Sequence, residues 1–332
     1  MVTIGEDGVK RGLRCAATDL TVSRSGTILM RMVALAAAKD LPMMHAKALE
    51  LRARDGLRLA VQARGDPHTP ALVFAHGFGQ TRHAWTASAT TLAQDGWYCL
   101  TADARGHGQS DWRDDGVYDF PQFVDDLVLL ARHAPQPPLP ILIGASMGGL
   151  LGLIAQAEYQ PFRAMVLVDI TPRWEAAGVE RILTFMRAHP QGFATLEEAA
   201  AAIAHYLPHR SERGRPERLR KLLVVAEDGR LRWHWDPRLI ERIGASGQAQ
   251  QDHLIEAARR IRVPVLLISG AQSDVVSEST IGEFLACVPH AQHARVPRAT
   301  HMIVGDRNDA FTDSVRQFIQ PLRDSGPRGL RQ

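Results

Sequence analysis

The sequence predicts an α/β fold with a mostly parallel central sheet, helices on both faces and one inserted helical segment. Short runs rich in apolar residues alternate with helical stretches, which is typical of strands buried on both faces. These runs are ALVFAH (71–76), YCLTAD (98–103), LPILIG (139–144), AMVLVDI (164–170), VPVLLISG (263–270) and HARVP (293–297). No such run occurs between residues 171 and 258. The alternation is therefore interrupted by an insertion.

A β-hairpin is predicted to open the sheet. The segment LELRAR alternates polar and apolar residues, Asp55-Gly56 is a hairpin turn signal, and LRLAVQA alternates again. Residues 1–46 lack a strand pattern, and the Ala-rich piece 28–39 within them predicts a short helix or a poorly ordered extension.

Helical periodicity sets the remaining boundaries. It is found at 85–95, 120–133, 180–189, 196–207, 215–225 and 309–319. The predicted organisation is an N-terminal extension (1–46), a core in two parts (47–170 and 259–322), an inserted helical lid (171–258) and a polar tail (323–332). We find no internal repeat or low-complexity tract in the sequence.

The composition excludes several classes of function. Hydrophobic residues make up 45% of the chain and charged residues 23%, which predicts a folded globular protein rather than a disordered one. Lys plus Arg number 39 and Asp plus Glu number 36, so no broad positive field would attract nucleic acid or an anionic membrane. We therefore expect neither nucleic acid nor membrane as a partner.

The cysteine pattern favours a reducing compartment. Cys15, Cys99 and Cys287 are odd in number and widely spaced, which argues against a disulfide framework or a zinc site. The segment 27–38 faintly resembles the apolar core of a signal peptide, but Arg31 interrupts it and a long mixed segment precedes it. No apolar run approaches the ~20 residues that a membrane span requires. A soluble, cytoplasmic protein is expected.

A candidate nucleophile lies in the segment GASMG (144–148), which is the only Gly-x-Ser-x-Gly in the chain. It stands between the strand ILI and the apolar helix GGLLGLIAQAEY, the strand–turn–helix context that this motif requires. A sharp turn there would expose the Ser146 hydroxyl, and glycines would let strand and helix approach closely. The alternative is that Ser146 merely caps the helix.

A serine hydroxyl needs a base, and the base needs an acid that orients it. In strand–turn–helix serine enzymes these partners follow in the order Ser, acid, His. His301 follows the strand HARVP, and Asp274 follows the strand VPVLLISG at the carboxyl end where α/β sites form. We predict His301 as the base and Asp274 as the acid. Asp169, which ends another buried strand, is the alternative acid.

Two backbone N–H groups are expected to stabilise an oxyanion. The Met147 N–H should be one of them, because it follows the nucleophile. The Phe78 N–H should be the other, because the glycines of HGFG (76–79) let the backbone approach the reacting carbon. Alternatively, the same glycines form only a structural turn.

Taken together, these segments resemble the α/β-hydrolase superfamily. The segments that carry the resemblance are HGFG (76–79), DARGHGQS (103–110), GASMGG (144–149), Asp274 and His301. Within the superfamily the chain is similar to carboxylesterases and cofactor-free haloperoxidases, over about residues 47–322. The resemblance implies nucleophile, acid and base roles for Ser146, Asp274 and His301, and a structural turn beneath the site for residues 103–110.

The sequence therefore predicts a serine hydrolase that cleaves carboxylic esters of small to medium, apolar substrates through an acyl-enzyme. No cofactor or metal is expected, because neither His-x-His-x-Asp-His nor His-Glu-x-x-His occurs. Ser146 stands where epoxide hydrolases and haloalkane dehalogenases carry Asp, which argues against both activities. The alternatives are a cofactor-free haloperoxidase or perhydrolase, a carbon–carbon bond hydrolase, and a ligand receptor with little turnover.

Two features of the predicted lid bear on its partners. The first is a set of aromatic residues, with His234 nearby in sequence, which would either cover an apolar acyl or aryl group or pack the lid: Trp174, Phe185, Phe193, Tyr206, Trp233 and Trp235. The second is a basic cluster, which forms either a solvated helix face or a docking patch for an anionic acyl carrier: Arg210, Arg213, Arg215, Arg218, Arg220 and Lys221. A small-molecule ester is the expected substrate, and charge alone supports no acyl-carrier docking.

Overall fold

Eight strands form the central sheet of the computed structural model, which describes residues 46–135, 137–206, 219–244, 248–306 and 308–323. The strands are β1 (Lys47–Arg52), β2 (Arg58–Arg64), β3 (Ala71–Ala75), β4 (Tyr98–Ala102), β5 (Ile141–Ala145), β6 (Ala164–Val168), β9 (Val265–Gly270) and β10 (Gln292–Val296). Their order is β1-β2-β4-β3-β5-β6-β9-β10. The first two pairings, β1 with β2 and β2 with β4, are antiparallel, and the others are parallel.

Two further strands, β7 (Leu223–Val225) and β8 (Leu231–Trp233), form a separate antiparallel hairpin. The helices are α1 (Thr86–Gln94), α2 (Phe120–His133), α3 (Met147–Tyr159), α4 (Ala176–Arg187), α5 (Leu196–Tyr206), α6 (Arg238–Gly244), α7 (Gln248–Arg259), α8 (Glu278–Cys287), α9 (Ile303–Asp306) and α10 (Asn308–Arg323). Among the described residues, no helix has both the length and the apolar character to cross a membrane.

Alternation along the strands builds a core on each face of the sheet. In β3, Val73 packs with α2 and α3 on one face, whereas Leu72 and Phe74 pack with α1 and α10 on the other. All three side chains are fully buried. Both sheet faces are therefore apolar, which explains why these strands appear in the sequence as continuous apolar runs.

The predicted fold class is confirmed. The opening hairpin appears as β1 and β2, and each predicted strand run contains a strand of the central sheet. The predicted helices at 85–95, 120–133 and 309–319 correspond to α1, α2 and α10. The N-terminal extension, except residue 46, and the tail beyond residue 323 lie outside the described residues, so those two predictions stay open.

The segment 171–258, here called the insertion, adds no strand to the central sheet in the part that the structure describes, 171–206, 219–244 and 248–258. It contains α4 and α5 as predicted, but the helix expected over 215–225 is wrong in the part that the structure describes. Residues 220–222 form a short 3-10 turn and residues 223–225 form β7. Pairing with β8 lets Leu223 and Trp233 become buried, and this burial outweighs the local helical preference of a charged segment.

Helix α3 lies so close to the sheet that glycine is required on its inner face. A Cβ atom at Gly148 would stand 2.3 Å from the backbone oxygen of Ala75 in β3. A Cβ atom at Gly282, on the exposed side of α8, would have no atom within 4 Å. The two helical glycines thus differ in the space around them.

Gly148→Ala should lower the free energy of unfolding by about 1–3 kcal/mol, because the strand backbone cannot move aside without strain. Gly282→Ala is the matched control and should leave stability unchanged or raise it by up to about 1 kcal/mol, because alanine favours helix. Urea unfolding measures both variants. Equal effects of the two substitutions would contradict the close approach of α3 to the sheet.

Candidate active site

Ser146 occupies a sharp turn between β5 and α3. Its backbone angles are φ 47° and ψ −118°, a strained conformation for a residue with a side chain. A Cβ atom at Gly144 would lie 2.7 Å from the oxygen of Gly148, so both flanking glycines are needed for the turn. The Ser146 side chain makes no capping hydrogen bond to α3. Helix capping therefore does not explain this serine.

A buried carboxylate lies beside the turn and holds a histidine. Asp169 directly follows β6, and its Oδ2 accepts a hydrogen bond of 2.8 Å from Nδ1 of His301. The side chains of Asp169 and His301 are 1% and 11% exposed. The backbone N–H of Ser146 donates to the oxygen of Val168, 3.0 Å away, which places the turn next to this strand end. Because Nδ1 is occupied, Nε2 of His301 is the nitrogen that can accept a proton.

The Asp169 carboxylate is held from two other directions. Its Oδ1 accepts the backbone N–H of Gly270 at 2.7 Å, and its Oδ2 accepts the hydroxyl of Ser273 at 2.5 Å. The Ser273 oxygen in turn accepts the N–H groups of Val275 and Val276 at 3.2 and 3.1 Å. Sequence reasoning missed Ser273. Its place just after β9, one residue before Asp274, was the available signal.

The prediction that Asp274 orients His301 is wrong. The Asp274 carboxylate instead pairs with the guanidinium of Arg181 in α4, 2.6 Å away, and its side chain is 32% exposed. Its backbone oxygen lies against the insertion, because a Cβ at Gly178 would stand 2.0 Å from it. Strands β6 and β9 are parallel neighbours, so both end at the same edge of the sheet. The alternative acid, Asp169, is the one that points to His301.

The backbone N–H groups of Phe78 and Met147, close to Ser146 along the fold, have no acceptor among the described residues. Met147 is the first residue of α3, where helix geometry leaves N–H groups free and the helix dipole is positive. Gly77 lets the loop that carries the Phe78 N–H approach Ser146, since a Cβ at residue 77 would lie 3.2 Å from the Cβ of Ser146. Both N–H groups are therefore available to bind an oxyanion, and this role stays a prediction.

Gln80 connects the loop 76–80 to the segment that carries the histidine. Its Oε1 accepts the backbone N–H of Gly77 at 3.2 Å, and its Nε2 lies 3.4 Å from the sulfur of Met302, next to His301. Sequence reasoning did not single out this residue.

Comparison with known proteins assigns the family. A family model described as serine aminopeptidase S33 matches residues 66–308, more than half of the chain. A crystal structure of an α/β hydrolase from Novosphingobium aromaticivorans covers 84% of this chain and 99% of its own, with a TM-score of 0.70 and 26% identity. The chain is an α/β hydrolase of this family.

Curated relatives of this α/β hydrolase include esterases and other hydrolases. The 3-hydroxybutyrate-oligomer hydrolase of Cupriavidus necator is 33% identical over 281 residues, which is 80% of this chain and 92% of that protein. Esterase Rv0045c of Mycobacterium tuberculosis is 27% identical over 75% of this chain and 83% of its own length. The superfamily resemblance inferred from the motifs is thus confirmed.

The turn DARGHGQS (103–110) forms a scaffold under the loop 76–80, as the resemblance implies. Asp103 is buried and pairs with Arg82, and Arg105 binds Asp126 through two hydrogen bonds of 2.7 Å each. Burial raises the pKa of Asp126, although Arg105 opposes this effect. The hydroxyl of Ser110 donates to the backbone oxygen of Asp103 at 2.6 Å. These ion pairs attach the turn to Arg82 and to Asp126 in α2.

The imidazole rings of three buried histidines, His76, His107 and His234, lie between this turn and the loop 76–80. Burial lowers the pKa of His76, places the pKa of His107 well below its usual value of 6.5, and lowers that of His234 to about 4. Each imidazole is consequently neutral at pH 7. An unfolded histidine takes up a proton near pH 6.5, whereas folded His234 does so only near pH 4.

This difference predicts a pH-dependent effect of His234→Gln. As the pH falls from 7.5 to 4.5, protonation of His234 in the unfolded state removes about 2 kcal/mol of wild-type stability, and glutamine has no such loss. The stability deficit of the variant should therefore shrink toward low pH. His76 and His107 are present in both proteins, so their contributions to the pH dependence of stability largely cancel in the comparison. Urea unfolding at several pH values measures the deficit, and parallel stability curves would contradict the neutral state of His234.

The identity of the acid gives a second prediction. Asp169→Asn should lower kcat of ester hydrolysis by about 10³- to 10⁴-fold, because the amide stabilises the wrong tautomer of His301. Asp274→Asn is the matched control at the neighbouring strand end and should change kcat far less. Steady-state kinetics of both variants on one ester test this. A larger loss of kcat for Asp274→Asn would restore the original assignment.

Proposed function

We propose that this α/β hydrolase is a serine carboxylesterase that works through an acyl-enzyme. The observation that carries the proposal is the hydrogen bond from His301 to the buried Asp169, at the strand end next to the strained turn of Ser146. A binding protein needs no histidine oriented in this way, and a scaffold needs no half-buried serine in a strained turn.

In the first half-reaction, the Ser146 hydroxyl oxygen attacks the ester carbonyl carbon. His301 Nε2 takes the hydroxyl proton, and Asp169 stabilises the imidazolium through the Nδ1–H bond. The carbonyl oxygen becomes an oxyanion that accepts the N–H groups of Phe78 and Met147. The tetrahedral intermediate then expels the alcohol, which takes the proton from His301, and the acyl group remains on Ser146.

In the second half-reaction, water replaces the alcohol. His301 takes a proton from the water as its oxygen attacks the acyl carbon, and the same two N–H groups hold the oxyanion. Collapse of this intermediate releases the carboxylic acid and returns the proton to Ser146. Hydrogen peroxide in place of water would give a peracid, which is the perhydrolase alternative.

We propose further that the insertion acts as a lid over small to medium, apolar substrates. Met186 and Trp235 support this, because a Cβ at Gly79 would stand 3.0 Å from the Met186 methyl group and 3.6 Å from the Trp235 ring. Apolar side chains of the insertion thus meet the loop beside Ser146. Phe193 and Trp233 are buried and pack edge-to-face at 5.1 Å, so they favour the alternative role of packing the insertion itself.

Oligomeric esters of 3-hydroxybutyrate are the second candidate substrates. The observation that favours them is the 33% identity over 92% of the length of the Cupriavidus necator 3-hydroxybutyrate-oligomer hydrolase. They belong to the same ester chemistry and require no change in the roles of Ser146, His301 and Asp169. Docking of an acyl carrier stays a prediction, because residues 210–218 of the basic cluster lie outside the described residues.

Ser146→Ala tests the proposal. The variant should fold like the wild type and lose hydrolysis of p-nitrophenyl esters by on the order of 10⁶-fold, because the nucleophile is gone. A fluorophosphonate should label the wild type and leave the variant unlabelled. Failure of the folded wild type to be labelled would favour the receptor alternative, and unchanged turnover by Ser146→Ala would refute the nucleophile.

The same wild-type enzyme distinguishes the substrate classes. Rates on p-nitrophenyl esters of increasing chain length are compared with rates on the dimer and trimer of 3-hydroxybutyrate. A preference for the short oligomers would support the second candidate. Acetate-dependent halogenation or cleavage of an activated carbon–carbon bond that exceeded ester turnover would contradict the esterase proposal.

A further inference from the structure

Imidazole rings bind the backbone of the loop 76–80. Nδ1–H of His76 donates to the oxygen of Gly77 at 2.8 Å, and Nε2 of His107 accepts the N–H of Gly79 at 3.2 Å. Nε2–H of His234 donates to the oxygen of Gly79, also at 3.2 Å. Both polar groups of Gly79 are therefore bound by histidines.

The second nitrogen of each ring binds the scaffold turn 103–110. His76 accepts the N–H of Ala104 at 2.9 Å, and His107 donates to the oxygen of Arg105 at 3.0 Å. His234 Nδ1 accepts the N–H of Gly108 at 2.9 Å. These partners fix one tautomer for each ring, with one nitrogen donating and one accepting. Each ring is a rigid spacer between turn and loop.

His234 differs from the other two because the insertion supplies it. It directly follows β8, and two residues later the N–H of Asp236 donates to the oxygen of Gly106 at 2.8 Å. The hydroxyl of Tyr118 donates to the Asp236 carboxylate at 2.7 Å. The part of the insertion around Asp236 is thus attached to the scaffold turn independently of the bond from His234 to Gly79.

A short path of planar peptides leads from His234 to the Phe78 N–H. His234 binds the oxygen of Gly79, and the N–H of the same peptide, that of Gln80, donates to the oxygen of Gly77 at 3.1 Å. That oxygen belongs to the peptide whose N–H is the Phe78 donor. In a planar trans peptide the oxygen and the N–H point in opposite directions. Fixing one oxygen therefore aims the N–H on the other side.

We propose that His234 is a positioning residue through which the insertion holds the Phe78 N–H in the direction that the oxyanion requires. The inference rests on the proposed esterase function, since it assigns a purpose to that N–H. His234 contacts no substrate and acts only through Gly79 and the turn 77–80. The Phe78 N–H is thereby held in place only when the insertion is docked on the loop.

Two amide variants separate the two bonds of His234. In His234→Gln the side-chain nitrogen reaches the place of Nε2 and can donate to Gly79, whereas in His234→Asn the side-chain oxygen takes the place of Nδ1 and can only accept from Gly108. Tyr118→Phe is the matched control, because it removes a hydrogen bond of the insertion that does not touch the loop. All three variants remove one buried hydrogen bond or more.

Steady-state kinetics on a p-nitrophenyl ester give the first readout. His234→Asn should lower kcat by about 10- to 100-fold with little change in KM, because a misplaced donor weakens only the transition state. His234→Gln should stay within about threefold of the wild type, as should Tyr118→Phe. Binding of a trifluoromethyl ketone, which forms an oxyanion on Ser146, should weaken by the same factor as kcat. Should His234→Asn fail to fold, His234→Phe keeps the ring volume and replaces it.

Hydrogen–deuterium exchange of the peptide that spans residues 77–82 gives a readout independent of turnover. Exchange should accelerate in His234→Asn and stay near the wild-type rate in His234→Gln and Tyr118→Phe. Equal kcat and equal exchange in the two His234 variants would overturn the inference, as would an equal kcat loss in Tyr118→Phe. If the wild type hydrolyses no ester, the proposed function fails, and the exchange pattern alone decides whether His234 holds the loop.

Discussion

The burial of the Asp169 carboxylate constrains the loops at the carboxyl ends of β6, β9 and β10. Asp169 is fully buried, and a charge removed from water is tolerated only if hydrogen bonds replace its hydration. Those bonds come from Gly270, Ser273 and His301, which lie at the ends of β9 and β10. The loops after three strands therefore converge on a single side chain. Removing any one of these donors would leave the charge partly unsatisfied.

Most of the fold was predictable from the sequence because both faces of the sheet are covered. Strands buried on two sides must be apolar throughout, and Gly, Pro or Asp marks their ends. The turn at Ser146 was predictable for a similar reason, since only glycine at 144 and 148 fits the close contact of helix and strand. In both cases local sterics or burial restrict the residue types so strongly that the pattern survives in the sequence.

The acid could not be predicted with the same certainty. β6 and β9 are adjacent, with Val168 paired to Ile268, so Asp169 and Asp274 end neighbouring strands at the same edge. Strand position alone does not distinguish them. The distinction depends on the positive φ of 50° at Asp169 and on Arg181, which binds Asp274 from the insertion. Both are tertiary effects that leave no local sequence signal.

The hairpin of β7 and β8 is a different case: a local turn signal was present in the sequence, yet a helix was predicted. Asp228-Gly229 is a turn dipeptide, and Gly229 adopts a φ of 76°. The charged residues before β7 favoured helix, but the hairpin buries Trp233 against Phe193, and Phe193 pairs with Leu231 as a further bridge. Burial of large aromatic rings outweighs helix propensities of a few tenths of a kcal/mol per residue.

The insertion contacts the site from two sides that are far apart in sequence. Helix α4 lies on the loop after β9 through Gly178 and Arg181, which contact Asp274, and the preceding residue Ser273 binds Asp169. The segment after β8 lies on the loop 76–80 through His234 and Trp235. One contact supports the acid and the other supports the donor loop. Under the proposed function, a displacement of the insertion would therefore disturb proton transfer and oxyanion binding together, which is a physical reason for the two contacts to belong to one inserted segment.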